Sequence, residues 1–358
     1  MSAAARETVN TGADTPVEGS WDSRPEVVGW QGIRCVLPPD WSVTGLSMER
    51  ESGYVRIDAP GDSSLSVQIK WTGTRPKATS TVSLYSMSVT AVRGLLKRPG
   101  PTMVDVSLRE NLERLLKDTG RQAKKSHTAF ETVIKPERAE GPGDERQAIN
   151  FSWTGGGRGQ GKIWRCGTCG RVVVAQVIGL QKDQAGIAAV ASQLFATLED
   201  HGRDGYDLWA LYGLKAELPT DFNLESQTIS SGHLRLAFTR SGERLIIDRW
   251  ALANTVLKRF TATEWFRRNA WMGLKRLAAA TVTTSRGHEV ERYSGSLTIP
   301  GRLKAFRESK GSLKRMPSRY SGGAWVCTET NRIIAVQAIT NRNSPDEWEA
   351  AVSRCLCH

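Results

Sequence analysis

No run in this 358-residue chain approaches the roughly 18 consecutive apolar residues that a membrane-spanning helix needs. A helical membrane span is therefore not expected. The N-terminal stretch Met1-Ser-Ala-Ala-Ala-Arg-Glu-Thr8 has no apolar core of the kind a signal peptide carries. The expected compartment is the cytoplasm, where the six Cys would be reduced or metal-bound. Histidine is scarce: His127, His201, His233, His288 and His358 are all there are. No nucleophile elbow, Walker loop, dinucleotide fingerprint or zinc-protease helix occurs. Gly287-His288-Glu289 offers acid–base groups, but in a charged, strand-like segment with no recurring partner. Acidic residues are thin in one place. Between Arg240 and Arg319 there are 18 Lys or Arg against 6 Asp or Glu, a net of +12. The rest of the chain carries 31 of each sign (49 − 18 and 37 − 6). Such asymmetry suits an acidic partner: an acidic protein or multi-subunit assembly, nucleic acid, or an anionic membrane surface. A solvated basic surface with no partner is the plainer alternative.

What is present is a repeat. Trp164-Arg-Cys-Gly-Thr-Cys-Gly-Arg-Val-Val-Val-Ala-Gln-Val-Ile178 returns as Trp325-Val-Cys-Thr-Glu-Thr-Asn-Arg-Ile-Ile-Ala-Val-Gln-Ala-Ile339. Both fit W-x-C-x4-R-[VI]-[VI]-x2-Q-x-I without a gap. Two further echoes precede it in order. Gly32-Ile-Arg-Cys-Val-Leu-Pro-Pro-Asp-Trp-Ser-Val43 matches Gly213-Leu-Lys-Ala-Glu-Leu-Pro-Thr-Asp-Phe-Asn-Leu224. Ser52-Gly-Tyr-Val-Arg-Ile57 matches Ser231-Gly-His-Leu-Arg-Leu236, each thirteen residues before a Trp, Trp71 or Trp250. Three blocks in one order mean a tandem duplication. The offsets are 181 (32 to 213), 179 (52 to 231) and 161 (164 to 325), so the first copy is longer by about eighteen residues. The charged stretch Gly120 to Gln147 is the expected place for them.

Residues 1–24 are polar, small and without period, and read as a disordered tail. The copies are expected at 25–203 and 204–358. Each reads as early strands, a helix, late strands and a closing helix. Arg171 to Ile178 is β-branched and bounded by glycines, which predicts a buried central strand. Val172, Val174, Gln176 and Ile178 would share one face, with Val173, Ala175 and Val177 on the other. Gly155 to Gly161 reads as a flexible hairpin loop. Leu108, Leu112, Leu115 and Leu116 mark an amphipathic helix, and Thr263 to Leu277 is its expected counterpart. Closing helices are expected over 183–198 and from Pro345 to the end. In each copy a Pro ends a strand, after which an aromatic, Trp41 or Phe222, can fold back as a plug.

Leu37-Pro-Pro-Asp-Trp41 and Leu218-Pro-Thr-Asp-Phe222 resemble the L-P-x-x-W opening of the PsbP/Mog1-like group. The resemblance implies an α+β fold, here two tandem domains, each an antiparallel sheet packed against helices. It also implies a non-catalytic accessory protein that assembles or stabilises larger complexes.

Three sets of residues carry candidate chemistry. Cys166 and Cys169 form C-x-x-C, a spacing that can place two thiolates on one Zn²⁺. The second copy keeps Cys327 but has Thr330 at the other place. The chain ends Cys355-Leu-Cys-His, so Cys327, Cys355, Cys357 and His358 could supply soft ligands there. His201 lies at a comparable place in the first copy. Small buried hydrophobes are the plain alternative, and a Cys327–Cys357 disulfide is another. A thioredoxin-like role is disfavoured, because that motif opens a helix and this one opens a strand. The second set is Trp265, Phe266 and Trp271 among Arg267, Arg268, Lys275 and Arg276. It reads as an aromatic-basic helix that docks onto a partner or packs its rings inward. The third set is the recurring polar pairs Arg171/Arg332, Gln176/Gln337, Arg56/Arg235 and Asp40/Asp221, which suit a structural network better than a reaction centre. The expected function is a non-enzymatic accessory or adaptor subunit docking through a basic second half. A nucleic-acid-binding protein and a metal- or thiol-dependent enzyme using Cys166 and Cys169 are the alternatives.

Overall fold

Short β-branched runs separated by tight turns build most of the chain. The structure, a computed structural model, describes residues 25–48, 52–73, 108–125, 127–138, 147–269, 274–283, 287–309, 316–341 and 347–356. The expected tail 1–24, Trp271, and the candidate ligands Cys357 and His358 lie outside the described residues.

The first half runs β1 (Glu26–Trp30), β2 (Ile33–Leu37), β3 (Ser42–Met48), β4 (Ser52–Asp58), β5 (Ser66–Thr72), α1 (Leu108–Lys125), β6 (Glu131–Arg138), β7 (Gln147–Thr154), β8 (Arg158–Arg165), β9 (Val172–Gly179) and α2 (Gln184–Thr197). The second runs β10 (Tyr206–Leu211), β11 (Leu214–Pro219), β12 (Asn223–Ser230), β13 (His233–Arg240), β14 (Glu243–Ala251), α3 (Ala253–Val256), α4 (Ala262–Asn269), β15 (Leu274–Thr283), β16 (Glu289–Leu297), α5 (Ile299–Ser309), β17 (Arg319–Cys327), β18 (Arg332–Thr340), α6 (Glu347–Ser353) and β19 (Cys355–Leu356). The architecture is α+β. All pairings between these strands are antiparallel.

Two seven-stranded sheets share one strand order. The first is β3-β4-β5-β9-β8-β7-β6 and the second β12-β13-β14-β18-β17-β16-β15. Their registers coincide at the Trp of the W-x-C block and at an early bulge, but not at the Ser-Gly-x-x-Arg echo. There Trp71 faces Val173 and joins the central core, while Trp250, its expected match, faces Ile333 and packs on the opposite side of its sheet. Trp164 faces Val173 across β8 and β9, and Trp325 faces Ile334 across β17 and β18. A bulge falls between Val43 and Gly45 in one and between Leu224 and Ser226 in the other. A third sheet, β2-β1-β10-β11-β19, draws strands from both halves. Its middle pairing sets Gly29 against Ala210, residues 181 apart, so the two hairpins meet about an approximate two-fold axis. Each hairpin turns on two residues with positive φ, Gln31-Gly32 (52° and 84°) and Tyr212-Gly213 (49° and 75°). Both central φ values positive is the two-residue turn whose twist suits a hairpin.

One apolar core runs through all three sheets. It takes Val55, Ile57, Val173 and Val177 from the first unit, Leu234, Leu236, Ile334 and Val336 from the second, and Trp30, Cys35 and Trp209 from the shared sheet. Trp41 and Phe222, the expected plugs, are both buried in it. The strand over β9 has the expected faces. Val173, Ala175 and Val177 enter this core, while Val172, Val174 and Ile178 pack on the side of α1, with Leu108, Leu112 and Leu116.

Four expectations need correction. Lys275 and Arg276 lie on a strand, not a helix: α4 stops at Asn269 and β15 begins at Leu274. Pairing along β16 outweighs the helix preference of the Ala-rich run. The closing helix from Pro345 also stops early, because Cys355 and Leu356 form β19 on the edge of β11. Gly159 and Gly161 belong to β8, not to a loop. A Cβ on either would overlap the ring opposite it, Trp153 or Phe151. Lastly, the extra length is not confined to Gly120–Gln147. Residues 73–130 separate β5 from β6 where 252–273 separate β14 from β15, and 298–318, carrying α5, stand where the first unit has 155–157. Two opposite differences leave the net of about eighteen.

Candidate functional site

The turn between β8 and β9 closes on Cys166. The Cys166 N–H donates to the Arg171 carbonyl at 2.8 Å, and the Gly170 N–H to the Cys166 carbonyl at 3.0 Å. Gly170 has φ 69°, which a glycine adopts without strain. This geometry turns a backbone N–H onto sulfur. The Cys169 N–H lies 3.4 Å from Cys166 Sγ.

The segment after α2 brings up the other half. His201 Nδ1 lies 3.5 Å from Cys166 Sγ and 2.6 Å from Asp200 Oδ1. The Trp164 indole N–H donates to Asp200 Oδ2 at 2.6 Å. Arg171, buried, donates from Nη1 to the carbonyls of Gln31 and Asp200 at 2.9 and 3.2 Å. Trp164, Cys166 and Arg171 of the W-x-C-x4-R stretch thus meet in one place. Among the described residues, Cys166, Asp200 and His201 are the set whose ligand atoms converge, all within 4.8 Å of one another. Asp200 and His201 are 0% and 38% exposed at their side chains, so the cluster has a wall and a mouth. Burial pushes the Cys166 thiol up to about 11; the Asp200 charge adds to this and the Cys169 N–H opposes it.

Sequence reasoning placed Cys166 and Cys169 here and noted His201, but missed Asp200. The Trp–Asp hydrogen bond spans 36 residues, and nothing local in the sequence marks it.

The second unit repeats part of this. Arg332 donates from Nη1 to the Gly213 carbonyl at 2.8 Å, bracing its hairpin as Arg171 braces the other. Cys327 and Cys355 are both buried in the core. Trp325 is buried too, and its indole nitrogen has no hydrogen-bond partner among the described residues. Arg34 pairs with Glu199 and Lys215 with Leu356, a spacing of 157 between the closing segments. The repeated Gln residues are structural. Gln176 accepts from the Trp153 indole and donates to Gln68, and Gln337 accepts from the Tyr320 hydroxyl. Arg235 makes a two-point ion pair with Asp248, while Arg56 pairs with Asp58 on its own strand.

The helices α3, α4 and α5 form an outer layer on the second sheet. Ala253, Trp265, Phe266 and Ala305 pack inward against Tyr320, Ile333 and Ile339. Lys258, Arg259, Arg267, Arg268, Lys304 and Arg307 are exposed on this layer. So are Leu252 (60%), Ile299 (76%) and Leu303 (50%). Arg267 and Arg268 lie over the Tyr293 and Phe260 rings at 5.1 and 4.2 Å. The side chains of Lys275 and Arg276 lie outside the described residues.

Two seemingly equivalent places on the sheets differ. Beside α2 the first unit has a cleft of about 580 Å³ lined by Lys135, Asn150, Arg158, Lys162 and Ala188 among others. In the second unit Gly323 stands at the register of Lys162, and fully buried Trp348 packs close to it.

No family model matches the chain, and no curated protein sequence matches it. Among solved structures, it is similar to a cyanobacterial PsbP (CyanoP) from Synechocystis sp. PCC 6803. Identity is 11% and the TM-score 0.28, over 53% of this chain and 98% of that one. This is a weak likeness at the level of fold and carries no argument about function. No described helix is long and apolar enough to cross a membrane.

Proposed function

We propose that the chain is a non-enzymatic accessory or adaptor subunit, built from two copies of one α+β unit by tandem duplication. It docks onto an acidic protein of a larger assembly through the helical layer of its second unit. The duplication is supported by the common strand order, the matched bulges and the matched Trp registers. The docking role rests on one observation: six exposed cations share that layer with exposed Leu252, Ile299 and Leu303. Apolar anchors set among an excess of one sign of charge suit a protein partner of opposite charge. Two other cations of the basic span are paired within the fold. Arg240 pairs with Glu243 and Glu347, and Arg244 with Glu308.

A thiol enzyme fits less well. A Cys–His–Asp relay uses both ring nitrogens of the His, one for each neighbour. Here Cys166 and Asp200 face the same Nδ1.

The test compares two charge-reversed chains purified from native cells under crosslinking. One carries Arg267→Glu, Arg268→Glu and Leu303→Asp. The other carries Arg109→Glu and Lys117→Glu on α1. An acidic protein crosslinked by wild type and the second variant, but lost tenfold or more with the first, is the expected result. Equal recovery with both would remove the docking role. RNA or DNA binding that falls steeply with salt, with no protein partner, would replace it with the nucleic-acid reading.

A further inference from the structure

We propose that Cys166, Cys169 and His201, with Asp200 at the fourth position, bind one Zn²⁺ ion. The inference is independent of the docking role. Two features of the turn suit a metal thiolate. The backbone N–H of Cys169 points at Cys166 Sγ from 3.4 Å, which is how a sulfur carrying negative charge is held. The second thiol of the C-x-x-C stands on the same turn, three residues on, beside the N–H that reaches the first sulfur.

The spacing across the cluster agrees. Zn–S near 2.3 Å and Zn–N near 2.0–2.1 Å at a tetrahedral angle require S and N to be roughly 3.5 Å apart. Cys166 Sγ and His201 Nδ1 are 3.5 Å apart. The Asp200 Oδ1 to His201 Nδ1 distance, 2.6 Å, is that of a shared proton. An ion entering between them widens that gap to roughly 3.4 Å and takes the place of the proton. The imidazole then keeps its proton on Nε2, and binding releases the two thiol protons, so affinity rises with pH. Two thiolates and one carboxylate on Zn²⁺ leave one negative charge. Arg171, buried beside Asp200, supplies the balancing positive charge.

The surroundings also provide orientation and entry. Trp164 fixes Asp200 through Oδ2, leaving Oδ1 toward the cluster. His201, exposed on one edge, is the mouth. Two thiolates and an imidazole make a soft donor set, which selects Zn²⁺ over Mg²⁺ or Ca²⁺.

The test uses the full chain, purified reduced and without chelator. Zinc is measured by mass spectrometry, and iodoacetamide labelling of Cys169 is followed peptide by peptide. The expected result is bound zinc, with Cys169 labelled about tenfold more slowly than after chelation, and protection restored by Zn²⁺ alone. His201→Gln should lose the protection while keeping the wild-type circular dichroism, and Cys327→Ser should retain it. Because His201 is half-exposed, the variant tests the site without emptying the core. Wild type labelled at one rate with and without Zn²⁺ would overturn the proposal, whatever the variants do. So would a Cys166–Cys169 disulfide in the reduced preparation, or protection that depends on Cys327 and not on His201.

Discussion

Glycine opposite a large ring recurs at the residue scale. Gly53 lies under Trp71, Gly159 under Trp153, Gly161 under Phe151 and Gly322 under Tyr320. The missing side chain lets the ring lie over the backbone, across the neighbouring strand in the first three cases and along its own strand for Tyr320. Gly159→Ala should therefore cost about 1–3 kcal/mol through overpacking, read as a lower urea midpoint. A second prediction concerns Cys35. Burial pushes its thiol from the ordinary 9.0 up to about 12. Between those values the unfolded chain has lost its proton and the folded chain has not. Stability is complete below pH 9 and falls as pH rises toward 12. Cys35→Ala should make that decline shallower in unfolding curves collected across the window, leaving the part due to Cys166 and to Tyr54, Tyr212, Tyr293 and Tyr320, which burial also pushes up. Residue roles were legible only where chemistry is local. The Arg171 and Gln176 network was expected from their recurrence beside Trp and β-branched residues. Asp200 was not, because its worth depends on an indole brought from another strand.

At the scale of elements, the strands around β9 and β18 and the helices α1 and α2 followed from periodicity alone. The misread segments are those whose partner decides their state. Leu274 to Thr283 has a helix former's composition and becomes an edge strand because β16 offers it a ladder. Cys355 and Leu356 are too short to signal a strand, yet Ala216 and Lys215 hold them as one. The helix α6 shows the opposite economy: seven residues suffice because Trp348 fills the space beneath them and donates to the Val336 carbonyl at 2.8 Å. Trp348→Ala should cost about 3–5 kcal/mol, the range for emptying a buried aromatic site. Chemical denaturation would measure it, and a loss below about 1 kcal/mol would mean the helix is held by other contacts.

Over the whole molecule, the halves cannot be parted without opening a sheet. β1 and β10 meet at Gly29 and Ala210, and the core behind them is common to both. The chain should therefore unfold in one transition. A Cβ at Gly29 would sit 2.6 Å from the Leu208 carbonyl oxygen. Gly29→Val should push the hairpins apart, lower the melting temperature and split calorimetric unfolding into two steps. The common strand order was visible in the sequence only as echoing blocks. The shared sheet was not, since no copy states what its edge strand pairs with. That axis has a consequence for variation. In an assembly of two identical chains, every substitution is written on both sides at once. Joined in one polypeptide, the sides are released from that constraint. A cleft lined by Lys162 can stay open in one half while Trp348 closes its counterpart in the other. Cys169 can likewise stand at one turn and Thr330 at its twin. Each half is then free to specialise while its counterpart supplies the missing edge of its sheet.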